Sequence, residues 1–219
     1  MSVDLKDLQL KLAEYKVYDA WQYVNSLQRY LEYMKLSYEL IDVIDKNRKE
    51  HLAELHDLSF EIAKETGSVS ITKRDLDTSI KIGDHNINDS TFQEKNTIEF
   101  FHYARLSTDI LFQIVNAALL GDNAIDIEDT HLINNVLRKI ANISGYKNIV
   151  TLLSDNKNND YFKYVQAVDN YIKHIKSILI TISNNMIFNF DSNFKINKFV
   201  YKGILYDEKD ALQQVENTL

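Results

Sequence analysis

The chain has 219 residues, 45% of them hydrophobic, and a formal net charge of −7. It contains neither cysteine nor proline. Disulfides and thiolate metal sites are therefore excluded, and long uninterrupted helices are favoured. The negative balance argues against broad non-specific binding to nucleic acid and so against a reader of DNA sequence. No stretch reaches the roughly 18 apolar residues of a membrane span. Met1–Asp7 shows no basic region leading into an apolar run, so no signal peptide is read. The expectation is a cytoplasmic chain with no membrane partner.

Leu8, Leu12, Tyr15, Trp21, Val24, Leu27, Leu31, Met34, Leu40 and Ile44 recur at helical spacing, which predicts a long helix over 4–46, broken at most once. A second helix is expected over about 48–65, with Gly67 as its stop. The pattern then changes. Val69–Thr72 and Thr78–Ile82 alternate like short strands, and 83–90 reads as a turn-rich loop. Ser90 or Thr91 is placed to cap the next helix, with Glu94 completing a capping box. That helix should run to about Leu120 and stop at Gly121.

This helix carries the first candidate constellation. Its segment from Glu99 to Asn116 is strongly apolar, yet His102, Arg105, Asp109, Gln113 and Asn116 follow one another at steps of three or four residues. They form one polar line along a helix. Arg105 and Asp109 are spaced to pair. The line is either a self-satisfied or wet face, or one wall of a cleft shared with a second polar stripe farther along the chain.

Two shorter helices are expected over 128–143 and 146–154, divided by Ser144–Gly145, followed by a polar loop over 155–160. The next helix should run from Tyr161 to about Ser183. It carries Asp169-Asn170-Tyr171-Ile172-Lys173-His174, in which Asn170, Lys173 or His174, and Ser177 share a stripe beside an apolar face. Such polar groups are costly beside a buried face unless they are bonded or used. Ile187–Phe190 and Phe194–Tyr206 alternate as a small hairpin, and the polar C-terminal residues are helical or frayed.

Several constellations fail. Two Glu-x-x-His pairs, Glu99/His102 and Glu128/His131, are spaced like di-iron ligands. His102 lies 19 residues before Gly121, or roughly 28 Å of helix at 1.5 Å per residue, which separates the pairs. Asp84–Asn88 is partly similar to a calcium loop but lacks its glycine and terminal glutamate. No phosphate-binding glycine loop and no nucleophile elbow occurs. No metal and no cofactor is expected. Charge is uneven: residues 133–202 hold 10 Lys+Arg against 4 Asp+Glu, whereas 1–132 hold 14 against 24. The basic segment contains the second stripe.

The run Asp169–His174, late in a helical chain, resembles the motif of the HEPN superfamily of small helical bundles. Asn170 matches its polar position and His174 its histidine, while Asp169 stands where active members carry arginine. The polar-lined helix with Arg105, Asp109 and Gln113 is similar to the long earlier helix of such bundles. The resemblance covers about 92–185. It implies a helical bundle, and with the elements read above the expectation is a mainly α fold: a helical bundle with a long N-terminal helical extension and small β-hairpin additions, divided as 1–90 and 91–219. It implies homodimers with two motifs at a common cleft, and roles in toxin–antitoxin pairs, phage defence or RNA processing.

In the family, arginine stabilises phosphate charge and histidine moves a proton. An aspartate at the arginine position would repel a scissile phosphate. The expected function is thus a degenerate, non-catalytic HEPN-like module. It would bind RNA, a nucleotide or an antitoxin-like protein through Lys173, Ser177, His102, Arg105, Asp109 and Gln113. The alternatives are a metal-independent endoribonuclease using His174 and Asn170, and a helical scaffold with no ligand.

Overall fold

A computed structural model describes residues 4–177, 180–185 and 191–218. Helix α1 spans Leu5–Glu14 and is capped by Asp4, whose carboxylate accepts from the amide of Lys6 at 2.8 Å. Lys16 then takes a left-handed backbone with φ 59°, and the 49-residue helix α2 runs Tyr18–Thr66. The stop expected between residues 46 and 48 does not occur. Those residues include no glycine or proline, and the i,i+4 pairs Lys46–Asp42 and Lys49–Asp45, each 2.7 Å, bridge the position.

Beyond Gly67 the expected strand Val69–Thr72 is absent, and the short helix α3 covers Lys73–Leu76. Thr72 starts it: its amide and hydroxyl both donate to the Asp75 carboxylate, at 2.8 and 2.7 Å. A side-chain bond of this kind competes successfully with extended backbone. Strand β1, Ser79–Ile82, pairs antiparallel with β2, His85–Asn88, so part of the stretch read as a loop is a strand. Gly83, at φ 59°, makes the tight turn.

Helix α4 spans Asp89–Leu120. Its start lies one step before the expected cap: Asn88 Oδ1 accepts from the Ser90 amide at 2.9 Å. A 3₁₀ turn at Gly121–Asn123 ends it. Helix α5 covers Leu132–Ala141 and α6 covers Lys147–Asn158, so α6 extends through most of the expected polar loop. Helix α7 runs Asp160–His174. It ends well before the expected limit near Ser183, because Ile180–Asn185 forms strand β3 against β4, Asp191–Ile196. The β-branched run there satisfies its backbone across a ladder instead of along a helix. Strands β5, Phe199–Tyr201, and β6, Ile204–Tyr206, make a second hairpin. Strand β7, Lys209–Asp210, joins β4, and helix α8 covers Ala211–Glu216. The expected strand Ile187–Phe190 lies outside the described residues.

The fold is mainly α with small antiparallel hairpins. No helix among the described residues is long and apolar enough to cross a membrane. The chain divides into two compact units, Met1–Met34 with Phe101–Asp169, and Lys35–Phe100 with Asn170–Leu219. In the first unit, Leu12, Val24, Leu27 and Ile114 form one buried cluster, and Phe112, Leu120, Val136, Ile140 and Leu153 another. Along α2, burial follows the three-and-four spacing at Val24, Leu27, Met34 and Ile44, whereas Trp21 and Leu31 are exposed. In the second unit Phe199 stacks on Tyr206 at 4.8 Å and meets Tyr171 at 5.1 Å. Arg48 is buried there, its Nη1 2.8 Å from Asp89 Oδ2 and its guanidinium 5.7 Å from the Phe194 ring centre.

Candidate functional site

The polar line along α4 falls in the first unit from His102 onward, and its members have different work. Asn116 is structural. Its amide donates to the carbonyl of Ile125 at 2.7 Å, and its carbonyl accepts from the amide of Ile125 at 2.8 Å. Both halves of the side chain are used in pinning the segment that follows α4. His102 Nδ1 donates to Asp169 Oδ1 at 3.0 Å. The carboxylate can only accept, so this nitrogen carries the proton. Asp169, whose side chain is only 5% exposed, is thereby held inside the fold.

Arg105 and Asp109 form the expected pair, Nη2 to Oδ1 at 2.9 Å. The guanidinium lies 5.7 Å from the centre of the Phe162 ring, a cation–π arrangement. Arg105 Nη1 is buried and makes no hydrogen bond. The Arg105 and Asp109 side chains are 15% and 34% exposed, between a surface pair and a sealed one. Replacing Asp109 by alanine is therefore expected to cost about 1–2 kcal/mol, above the median of exposed pairs and below that of buried ones. Urea unfolding of the full chain measures it. A loss under about 0.5 kcal/mol would mean that water already screens the guanidinium.

Arg105, Asp109 and Gln113 line a cleft of about 530 Å³. The wall opposite comes from the start of α5 and the turn before it, with Asp129, His131 and Asn134. The end of α6 contributes Lys157 and Asn158, and α7 contributes Phe162, Lys163 and Gln166. His102 is not among the lining residues.

The charges in this cleft are arranged unequally. Both carboxylates are engaged. Asp109 holds Arg105. Asp129 accepts from the His131 amide and from Asn135 Nδ2, each at 2.7 Å. The His131 amide bond, then the Asn135 bond, keeps the Asp129 carboxyl below the ordinary carboxylate range. Lys157 donates to Asn134 Oδ1, and Lys163 makes only a loose exposed contact, 3.3 Å, with Asp160. Arg105, Lys157 and Lys163 stand against two carboxylates. The start of α5 adds the positive end of a helix dipole.

Asn170, Lys173, His174 and Ser177 belong to the second unit. Lys173 and His174 are exposed, and His174 is the last residue of α7. Because the helix stops there, Ser177 does not continue the stripe as expected; its hydroxyl donates to Glu94 Oε1 at 2.8 Å.

The sequence reading did not find Asn134, Lys157, Lys163 or Gln166. Two signals were present: the basic bias of 133–202, and a polar run at 155–160 that continues a helix. Neither reveals which helix ends converge on Arg105, since that depends on contacts distant in sequence. Comparison with known proteins finds no family model, no characterised relative and no solved structure that matches this chain.

Proposed function

We propose that this chain is a degenerate HEPN-like module that holds RNA or a nucleotide without cutting it. The observation that carries this reading is Asp169. At the position where the resembling nucleases place arginine, this chain has a buried carboxylate bonded to His102 at 3.0 Å. A phosphate brought to that position would meet negative charge instead of a cation, and transition-state charge would go unstabilised. His174 stands at the exposed end of α7, and general acid–base chemistry by a histidine contributes only part of such a rate.

The test is incubation of the purified full chain with mixed RNA, beside His174→Ala, with and without chelator. No cleavage by either protein is expected, together with retention of RNA that weakens as salt is raised. Robust cleavage that is lost in His174→Ala and indifferent to chelator would overturn the reading in favour of a nuclease.

A further inference from the structure

The geometry points to the first unit's cleft as a binding site for a nucleoside monophosphate group, carried either by a free nucleotide or by the phosphorylated end of an RNA chain. This rests on the reading that the chain holds RNA or a nucleotide, and it assigns the place and the chemical class.

Size is the first argument. About 530 Å³ lies within the usual range of roughly 300–1,000 Å³ for small-ligand sites, larger than a bare anion needs. The second is the state of the cations. Arg105 has a buried Nη1 with no acceptor and a single carboxylate at Nη2. A guanidinium presents five donors in a fixed fork, and unused donors on a partly desolvated cation are costly until an acceptor arrives. Lys163, which α7 brings to the same cleft, has an exposed contact with Asp160 at 3.3 Å.

The third argument is the inward commitment of the acids. Asp129 is engaged at the start of α5 and Asp109 at Arg105, so three cations face the cleft against two carboxylates that already hold partners. A phosphate monoester suits the cations better than an internal diester. It carries about −1.5 to −2 at pH 7 and offers three terminal oxygens to converging donors. The fourth argument is the rest of the lining. Gln113, Asn134, Asn158 and Gln166 each carry a group that both donates and accepts, which is what the edge of a nucleobase requires.

The experiment is calorimetric titration of the full chain with the four nucleoside monophosphates, the matching nucleosides, and inorganic phosphate. Short RNAs with 5′-phosphate or 5′-hydroxyl ends are then tested as competitors. At least one monophosphate should bind saturably, with its nucleoside at least about tenfold weaker. Arg105→Gln should weaken binding by about tenfold or more. Should Arg105→Gln fail to fold by circular dichroism, the double variant Lys157→Ala/Lys163→Ala decides, with the same tenfold loss expected.

Competition by 5′-phosphorylated RNA alone would place the monoester on an RNA end. No competition by either RNA, with a monophosphate still bound, would place it on a free nucleotide; both support the site. Absence of saturable binding by any monophosphate at millimolar concentration overturns the proposal, as does binding undiminished in a folded Arg105→Gln or in the double variant. Hydroxyl-ended RNA retained equally by every variant would overturn the cleft assignment and leave the RNA-holding reading intact. Cleavage of RNA by a protein that still binds monophosphate through Arg105 would do the reverse.

Discussion

Replacing Asp89 by alanine is expected to destabilise the protein by about 3 kcal/mol or more, because it leaves a buried guanidinium without its carboxylate. Arg48 Nη1 and Asp89 Oδ2 are 2.8 Å apart, and the two side chains are 2% and 3% exposed. The Thr78 hydroxyl donates to the same oxygen, which ties the start of β1 to the first residue of α4. The ring of Phe194 near the guanidinium cannot replace a carboxylate, since a cation–π contact contributes about 0.5–2 kcal/mol and offers no lone pair in the plane of the donors. Asp89 also stands at the positive end of the α4 dipole, which adds a smaller loss of about 0.3–1 kcal/mol.

Urea unfolding of Asp89→Ala, Arg48→Met and the double variant separates these effects. The double variant should lose less than the Asp89→Ala single, because an apolar pair of similar volume need not be solvated. A single-variant loss under about 1 kcal/mol would mean that water reaches Arg48 once the carboxylate is gone.

Phe112→Ala is expected to cost about 3–5 kcal/mol, the range for removing a fully buried aromatic ring. Phe112 lies in the cluster with Leu120, Val136, Ile140 and Leu153. It joins α4 to the two helices whose ends border the cleft. In a chain of this size 1 kcal/mol shifts the melting temperature by about 2–4 °C, so a fall on the order of 10 °C should appear by calorimetry. The control is Leu152→Ala: Leu152 is 70% exposed, and a change within about 0.5 kcal/mol is expected. Hydrogen exchange gives an independent readout. Phe112→Ala should raise exchange first in α5 and α6, and Asp89→Ala first in β1 and β2, as each weakens its own compact unit. A uniform rise across the chain in both variants would contradict that.

Hydrophobic spacing locates the main helical stretches and part of their inward faces. Of the residues that spacing marks, Leu12, Val24, Leu27, Met34 and Ile44 are buried, whereas Tyr15, Trp21 and Leu31 are exposed. The ends at Gly67 and Gly121 were legible as well. Glycine adopts the left-handed backbone that closes a helix, and these two have φ of 80° and 50°. The Arg105–Asp109 pair could also be read, because an i,i+4 contact is a property of one helix.

Tertiary structure decided the rest, for one physical reason: hydrophobic period reports local geometry, whereas hydrogen-bond partners and charge partners can be distant in the chain. Helix α7 ends at His174 because the residues beyond it enter a ladder with β4, and that competition cannot be weighed from an isolated apolar run. Arg48 reads as an ordinary surface residue of α2 until Asp89, 41 residues away, removes it from water. Asp169 reads in the sequence as the residue at the arginine position of the resembling motif, and its bond to His102, 67 residues away, is a contact that local spacing does not reveal. The cleft likewise exists only because the ends of α5 and α6 and one face of α7 converge on Arg105. The placement of α5 and α6 against α4 is set by how Phe112, Val136, Ile140 and Leu153 pack.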